Sequence, residues 1–416
     1  MNTNIFTKTY KGVQIIMGIL DIFGSTKEKA KEAEAQIENR EETLHAEQVA
    51  AAKSEHEGMP WPTVFPINLM RNQENKDEGI TVEDPISAER KEEVGALVYE
   101  PTLRPDQMKA LTLQELLFLL NTEILFNKKA GLLNFEKNHR IIHNDMLRRI
   151  HEAEKLYILY NKHTGYPLID NGFGLVYLEK EHAEKAAELY QKQYRQAVVA
   201  ERPGEAAPAL EDGRHPVALF DFLYYLGIEN VLIDNGWYKA IVQRNEISAP
   251  PTAFNGNQDP SKNPPTSPHL AFAMIDFANE AKWPVKYAKR EEVLQAKMNR
   301  INALIPRSRY IVPVQDAEGT ETKGLKLPLE KLKLVTKENP EGIEKGFLPV
   351  FTDLFEYSRG FKQKGYRPCG FDFKNVLSLL SGAEGIVINP RGESVVVPKE
   401  QAVVLLQSVL TQNGKQ

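Results

Sequence analysis

Apolar and polar residues recur along this chain in two blocks that follow the same order. The first opens with LTLQELLFLLNTEILF at 111–126, where a Thr112/Glu115 capping box precedes apolar residues at helical spacing and predicts a helix to about 127. A second helix is predicted at 135–154, with Ile142, Met146 and Ile150 near one face. LYILY at 156–160 reads as a strand, and YPLIDNGFGLVYL at 166–178 as a hairpin through Asn171-Gly172, a pair that accepts the positive φ angles of a tight turn. Residues 181–194 place Ala183, Ala186, Ala187, Tyr190 and Tyr194 on one helical stripe. A loop containing Pro and Gly leads to a short helix at 217–226 that Gly227 ends as a C-cap. The strand ENVLID, the turn Asn235-Gly236 and the strand WYKAIV close the block.

The second block predicts helices at 269–281 and 289–304, the strand YIVPV at 310–314, further strand material at 325–335, and FLPVF at 347–351. Leu354, Tyr357, Ser358 and Phe361 then share a helical face, a short helix at 373–380 ends at Gly382, and the hairpin GIVINPRGESVVVP precedes a terminal helix at 399–410. LYILY aligns with YIVPV, VYLEKEHAEKA with VFTDLFEYSRG, and the closing hairpins align on Gly227 and Gly382. The pattern therefore predicts two copies of one α/β unit, about 112–247 and 268–398. The expected fold class is α/β (α+β): two tandem domains, each a small mixed sheet with helices, closing in a β-hairpin.

Around these blocks the expected division is a charged helical or partly disordered segment at 1–58, a Pro-containing linker and lead-in at 59–110, a first domain at 111–248, a Pro-rich linker at 249–268 and a second domain at 269–416. Ser25 with Glu28 opens a run rich in Ala, Glu, Lys and Gln, and MPWPTVFPINL reads as an extended stretch that pins Trp61 or Phe65 onto a domain. In 13–24, Ile16, Ile19, Leu20 and Phe23 fall at helical spacing, which predicts weak docking on protein or membrane. The run is too short to span a bilayer, Asp21 interrupts it, and no small-x-small cleavage pattern follows. Met1 and Met17 are both possible translation starts, and MGILDI lacks the Ser or Thr of a myristoylation signal.

Net charge is −5 over 416 residues with basic residues dispersed, which argues against a dedicated nucleic-acid surface. The single cysteine, Cys369, excludes an intramolecular disulfide and a cysteine-rich zinc site, and fits a reducing, cytoplasmic setting. His139 and His143 stand i, i+4, but Arg140 occupies the place of the glutamate a zinc peptidase needs, so a solvated helix face is the reading. No phosphate-loop glycine pattern appears. LIDNG occurs twice and suggests paired carboxylates, Asp170 and Asp234, but turn chemistry explains both fully, so a metal or acid–base pair is the lesser reading. Asp353 fits a helix cap, and Asp234 or Asn389 the turn each enters. The copies share no nucleophile or base, so no catalytic residue, metal site or cofactor is expected. The candidate binding residues are those of the hairpin tips, read as exposed: Trp237 and Arg391, flanked by Asn235 and Asn389, with packing of Trp237 on its own sheet an equally good reading.

The run FLPVFTDLFEYSRGF…GFDFKNVLSLLSGAEGIVINPRGESVVVPKEQ resembles the amino-terminal domain of the SseB family. Its features are a strand ending in F-T-D that leads into a helix, then a short helix, a glycine, and a strand with an N-P-x-G-E turn before an apolar strand and Pro. The likeness covers about 310–400, is looser in the first copy, and leaves 1–110 outside. It implies a bacterial cytoplasmic protein of undefined biochemistry, in a family named for a serine-sensitivity phenotype. A non-enzymatic module that binds an unknown protein partner is expected. The alternatives are an amino-acid sensor linked to serine or sulfur metabolism, binding between the copies, and, third, an uncharacterised enzyme.

Overall fold

The computed structural model describes residues 27–67, 81–251, 263–316, 325–334 and 341–413. The segment carrying Ile16, Ile19, Leu20 and Phe23, and Ser25 with it, lies outside the described residues. Two compact units form, Met1–Pro62 with Ile86–His143, and Thr63–Pro85 with Asn144–Gln416, a division that cuts the chain inside its fifth helix.

The first unit holds α1 (Lys27–Glu55), α2 (Ala88–Gly95), α3 (Pro105–Lys109), α4 (Leu113–Lys129) and the start of α5 (Phe135–His151). The expected capping box forms at α4: Thr112 Oγ1 accepts from Glu115 N at 3.2 Å while Glu115 Oε2 accepts from Thr112 N at 2.8 Å. Trp61 is pinned as expected, stacked on Phe126 with ring centroids 5.1 Å apart, its indole N–H donating to Glu92 at 2.6 Å.

The second unit begins with β1 (Lys155–Asn161), β2 (Tyr166–Pro167), β3 (Ile169–Asp170), β4 (Phe173–Tyr177), α6 (Lys180–Lys192), β5 (Ala197–Pro203), α7 (Leu219–Tyr225), β6 (Asn230–Ile233), β7 (Ala240–Gln243) and α8 (Arg244–Ile247). β5 and β4 both pair antiparallel with Tyr157 and Ile158, so they flank β1. β6 joins β4 in parallel, and β7 joins β6 antiparallel. The spatial order is β5-β1-β4-β6-β7, with the β2–β3 corner beside β1 and β4. Asn171 and Gly172 take φ of 51° and 91°, as the predicted hairpin requires.

The chain continues through α9 (Pro268–Ala281), α10 (Arg290–Leu304), β8 (Arg309–Asp316), β9 (Leu325–Lys326), β10 (Glu330–Leu334), β11 (Ile343–Val350), α11 (Leu354–Gly360), β12 (Arg367–Asp372), α12 (Phe373–Ser378), β13 (Gly385–Ile388), β14 (Val395–Pro398) and α13 (Lys399–Asn413). β12 pairs antiparallel with β8; Ile311 of β8 exchanges two 2.9 Å bonds with Phe351; β11 and β13 are parallel; and β14 closes antiparallel. These strands form two sheets, β10-β11-β13-β14 and β12-β8-β9, joined by the Ile311–Phe351 bridge; read across that bridge, the order β12-β8-β11-β13-β14 follows that of the first sheet, including its one parallel pair.

Details of register agree as well. Asp234 N donates to Val176 O, and Asn389 N to Val350 O, both at 2.9 Å. Both residues are left-handed, with φ of 52° and 48°, a conformation that Asp and Asn accept more readily than other non-glycine residues. Gly227 and Gly382 end the preceding short helices at φ of 66° and 82°. The fold is α/β, of small mixed sheets covered by helices. Among the described residues no helix is long and apolar enough to cross a membrane.

Three expectations need correction. β5 and β12 occupy stretches read as loops, the second of which contains Cys369. β7 starts at Ala240, because Trp237 and Tyr238 are held in a buried loop, Trp237 N donating to Asp234 O at 3.1 Å and the Tyr238 hydroxyl to Asp84 at 2.8 Å. Tyr194 lies beyond the end of α6 at φ 60° and is 58% exposed, so the buried stripe ends at Tyr190.

α9 departs from ordinary amphipathicity. Leu270, Ala271, Phe272, Ala273, Met274, Ile275 and Ala278 are all buried, which is what a helix with protein on every side shows. It packs on β3 and α7 of the first half and on α10 of its own.

Candidate ligand-binding cleft

The hairpin tips are not the exposed surface the sequence predicts. Trp237 is 5%, Asn235 3% and Asn389 4% exposed. Trp237 stacks on His182 with centroids 4.5 Å apart and meets Tyr177 edge-on at 6.4 Å. Asn235 donates to the Tyr190 hydroxyl at 2.8 Å, accepts from Lys239 at 3.1 Å, and through its carbonyl accepts from the Tyr177 hydroxyl at 3.0 Å. Burial holds the Lys239 ammonium below its ordinary pKa, with the Asp170 charge opposing the shift. Asn389 accepts from Thr352 N and donates to its hydroxyl, both at 3.0 Å. These side chains fix strand ends. Arg391 alone of the four is exposed, at 64% of its side chain, and bridges to Glu330 at 2.9 Å.

The other chemically suggestive residues are also engaged. Asp170 accepts from the Tyr190 hydroxyl at 2.6 Å, while Asp234 is fully buried with His182 Nδ1 at 3.4 Å. His139 and His143 stack at 6.2 Å, and His139 Nδ1 stands 3.3 Å from Glu123 Oε2 without hydrogen-bond geometry. Burial, then the neighbouring His143, lowers the His139 pKa. No group of three or more His, Cys, Asp or Glu side chains suited to a metal occurs among the described residues. Half-buried Cys369 has the Arg367 guanidinium 2.7 Å from its sulfur.

The two halves meet through polar joints. The Tyr166 hydroxyl donates to Glu356 Oε1 at 2.8 Å and accepts from Arg359, whose guanidinium lies over the Tyr166 ring. Burial raises the Glu356 pKa, against the pull of Arg359. Asn279 of α9 accepts from Asn161 at 3.1 Å and donates to Pro167 O at 3.2 Å. Lys282 donates to His163 O at 3.1 Å and to Glu393 at 2.7 Å.

Beside these joints lies a cleft of about 290 Å³ with walls from both halves. Ile169, Asn171 and Gly172 come from the β3–β4 hairpin, and Arg195 from the link between α6 and β5. Phe272, Asp276, Asn279 and Glu280 come from α9, and Lys297 and Arg300 from α10. Its charged groups are organised: Lys297 pairs with Asp276 at 2.5 Å, and Glu280 accepts from the Tyr287 hydroxyl at 2.6 Å. Arg195 lies 4.0 Å over the Trp283 ring and donates to Asn279 O at 3.4 Å, and Arg300 lies 5.2 Å over Phe272. Asn171 and Gly172 read in sequence only as a turn, and none of the charged lining residues was singled out by motif. The signal was the set Asp276, Asn279 and Glu280 on an otherwise apolar helix, facing a cation pair at i, i+3 on the next.

The architecture defines an α/β protein with two topologically matching half-units and a charged cleft where they meet. Residues 288–402, in the second half of the chain, match the family model described as SseB protein N-terminal domain. The match takes in α10 through the first turn of α13 and leaves α9 and the first half outside. No curated protein and no solved structure matches the chain.

Proposed function

We propose that residues 144–247 are a diverged second copy of the SseB-type unit, and that the pair forms a non-enzymatic regulatory module that binds a small molecule in the cleft. The shared strand order and the matching Asp234 and Asn389 bonds support the duplication. The observation that carries the binding reading is the cleft itself, lined by α9, α10 and the β3–β4 hairpin, with several charged groups already held in place. The alternative chemistry of Asp170, Asp234 and Cys369 is weakened by the structural contacts that each makes. Thermal-shift screening of the full chain against a metabolite library tests the reading: saturable stabilisation, lost on changing a cleft residue, is expected. Turnover of any of those compounds, abolished by a single substitution, would refute the non-enzymatic part.

A protein partner is a second reading, favoured by the sheet edges: β7 pairs only with β6 and β14 only with β13 among the described strands, so each offers a backbone edge for strand addition. Arg391 is then the exposed tip residue available to such a partner. Stoichiometric capture of one protein from a native extract, reduced by proline substitution of Ile241 on β7, is the expected result.

A further inference from the structure

A second cavity, of about 280 Å³, is bounded by β8, β12, the start of α11 and the segment that leads into α9, and it shares no lining residue with the cleft. Pro265, Ile311, Leu354 and Pro368 give it apolar walls. Gly370 lets Pro265 close on β12, since a Cβ there would fall 2.9 Å from Pro265 Cδ. Arg309 is the one charged side chain among the described residues that line it. Ser267 pins the Arg309 backbone, its hydroxyl donating to Arg309 O at 2.7 Å and accepting from Arg309 N at 3.1 Å. The guanidinium, on an exposed residue, makes no hydrogen bond, ion pair or ring contact with the described residues. Asp372, opposite Arg309 on β12, is committed to the cap of α12, where its two oxygens accept from Asn375 N at 2.7 Å and Asn375 Nδ2 at 3.1 Å.

We infer that this cavity binds a small monocarboxylate with an apolar body, the carboxylate on the Arg309 guanidinium and the body against Pro265, Ile311, Leu354 and Pro368. The planar fork of arginine receives a carboxylate through two parallel bonds, and an unpaired fork has no partner to give up first. One positive charge with no carboxylate in the lining balances one negative charge and disfavours a cation. A compact oxyanion such as phosphate needs several converging donors, whereas Pro264, Pro265 and Pro368 bring no backbone N–H. Apolar walls reward a ligand that carries apolar surface beyond its charged group. The volume sits at the small end of ligand pockets, roughly 300–1,000 Å³, and suits an acid on a single ring or a short chain.

Cys369 lines the same cavity and is the chain's single cysteine, so its alkylation by iodoacetamide reports on occupancy. The test combines that rate with calorimetric titration of the full chain by benzoate and hexanoate, against acetate, benzamide, benzylamine and inorganic phosphate. Benzoate or hexanoate should saturate, and should slow alkylation over the same concentrations. Arg309→Gln should weaken that binding about tenfold or more, with Arg309→Lys intermediate because the charge remains but the fork is lost. Circular dichroism confirms that the variants fold. Arg300→Gln, in the cleft, should change nothing. Benzamide or benzylamine binding as well as benzoate overturns the charge assignment, and acetate or phosphate binding as well overturns the role of the apolar walls. Saturation by neither benzoate nor hexanoate overturns the inference. So does binding that survives Arg309→Gln, that leaves the alkylation rate unchanged, or that is lost in Arg300→Gln, each of which places the ligand outside this cavity.

Discussion

Substituting the two corresponding helix-ending glycines separates the cost of backbone conformation from that of the junction between halves. Gly227 and Gly382 both have left-handed φ, but an added Cβ meets nothing within 4 Å at Gly382, while at Gly227 it falls 2.0 Å from the Pro268 carbonyl oxygen and 3.1 Å from Phe272 Cβ. An alanine in this conformation costs roughly 1–2 kcal/mol, partly offset by about 0.4–1 kcal/mol from restricting the unfolded chain, so Gly382→Ala should destabilise by about 1 kcal/mol. At Gly227 the obstacle is backbone at the start of α9, which no rotamer change relieves, and overpacking adds about 1–3 kcal/mol, for a total of about 2–4 kcal/mol. Urea unfolding followed by tryptophan fluorescence reads the difference, since Trp237 and Trp283 are buried on either side of this junction. Equal losses in the two variants would refute the close approach of Gly227 to Pro268 and, with it, the seating of α9 against the first half.

Three further outcomes follow from buried polar groups. Burial pushes the Glu123 carboxyl up to about 8 from its ordinary 4.5, so the folded chain keeps a proton that the unfolded chain releases between those values. This contribution to stability is complete below about pH 4.5 and is lost as pH rises to about 8; Glu123→Gln should flatten the pH dependence of the urea midpoint across that window, and an unchanged slope rejects the assignment. Tyr166→Phe removes the hydroxyl that joins Glu356 to Arg359 and should cost about 1–3 kcal/mol in the same unfolding assay, whereas a neutral result would mean that the joint is not closed in solution. Asp353 caps α11, accepting from Glu356 N at 2.9 Å and from the Thr352 hydroxyl at 2.8 Å, so Asp353→Ala should lose about 1–2 kcal/mol and Asp353→Asn markedly less, as measured by thermal unfolding.

Local chemistry made much of the fold legible. The capping box at Thr112, the Asn171-Gly172 turn and the helix ends at Gly227 and Gly382 are dictated by residues within a few positions of one another, and the structure places each as expected. β5 and β12 escaped because both pair along only one side and neither is built on a buried face, β5 being mostly half-buried and β12 mostly exposed, so their sequences lack the strict apolar alternation of a half-buried strand. The hairpin tips misled for the opposite reason. Turn residues normally signal surface, but Phe65 N donates to Trp237 O at 3.1 Å and Ile67 packs beside Gly236, so a distant segment covers the first tip. The side chain of Asn389 closes the second by turning inward onto Thr352. The cleft was illegible as a site because its walls come from the 169–172 hairpin, from Arg195 and from helices a hundred residues further on.

The all-round burial of α9 bears on how the molecule can be dissected. The family match begins at residue 288, after this helix, so a fragment cut at that boundary would lack Leu270, Ala273 and Met274 from its own core. The first half, released from the other side, would lose the surface that lies on β3 and α7. Homology boundaries and folding boundaries thus differ here. The helix at 268–281 is packed from both sides, so a cut on either side of it removes core contacts from one half.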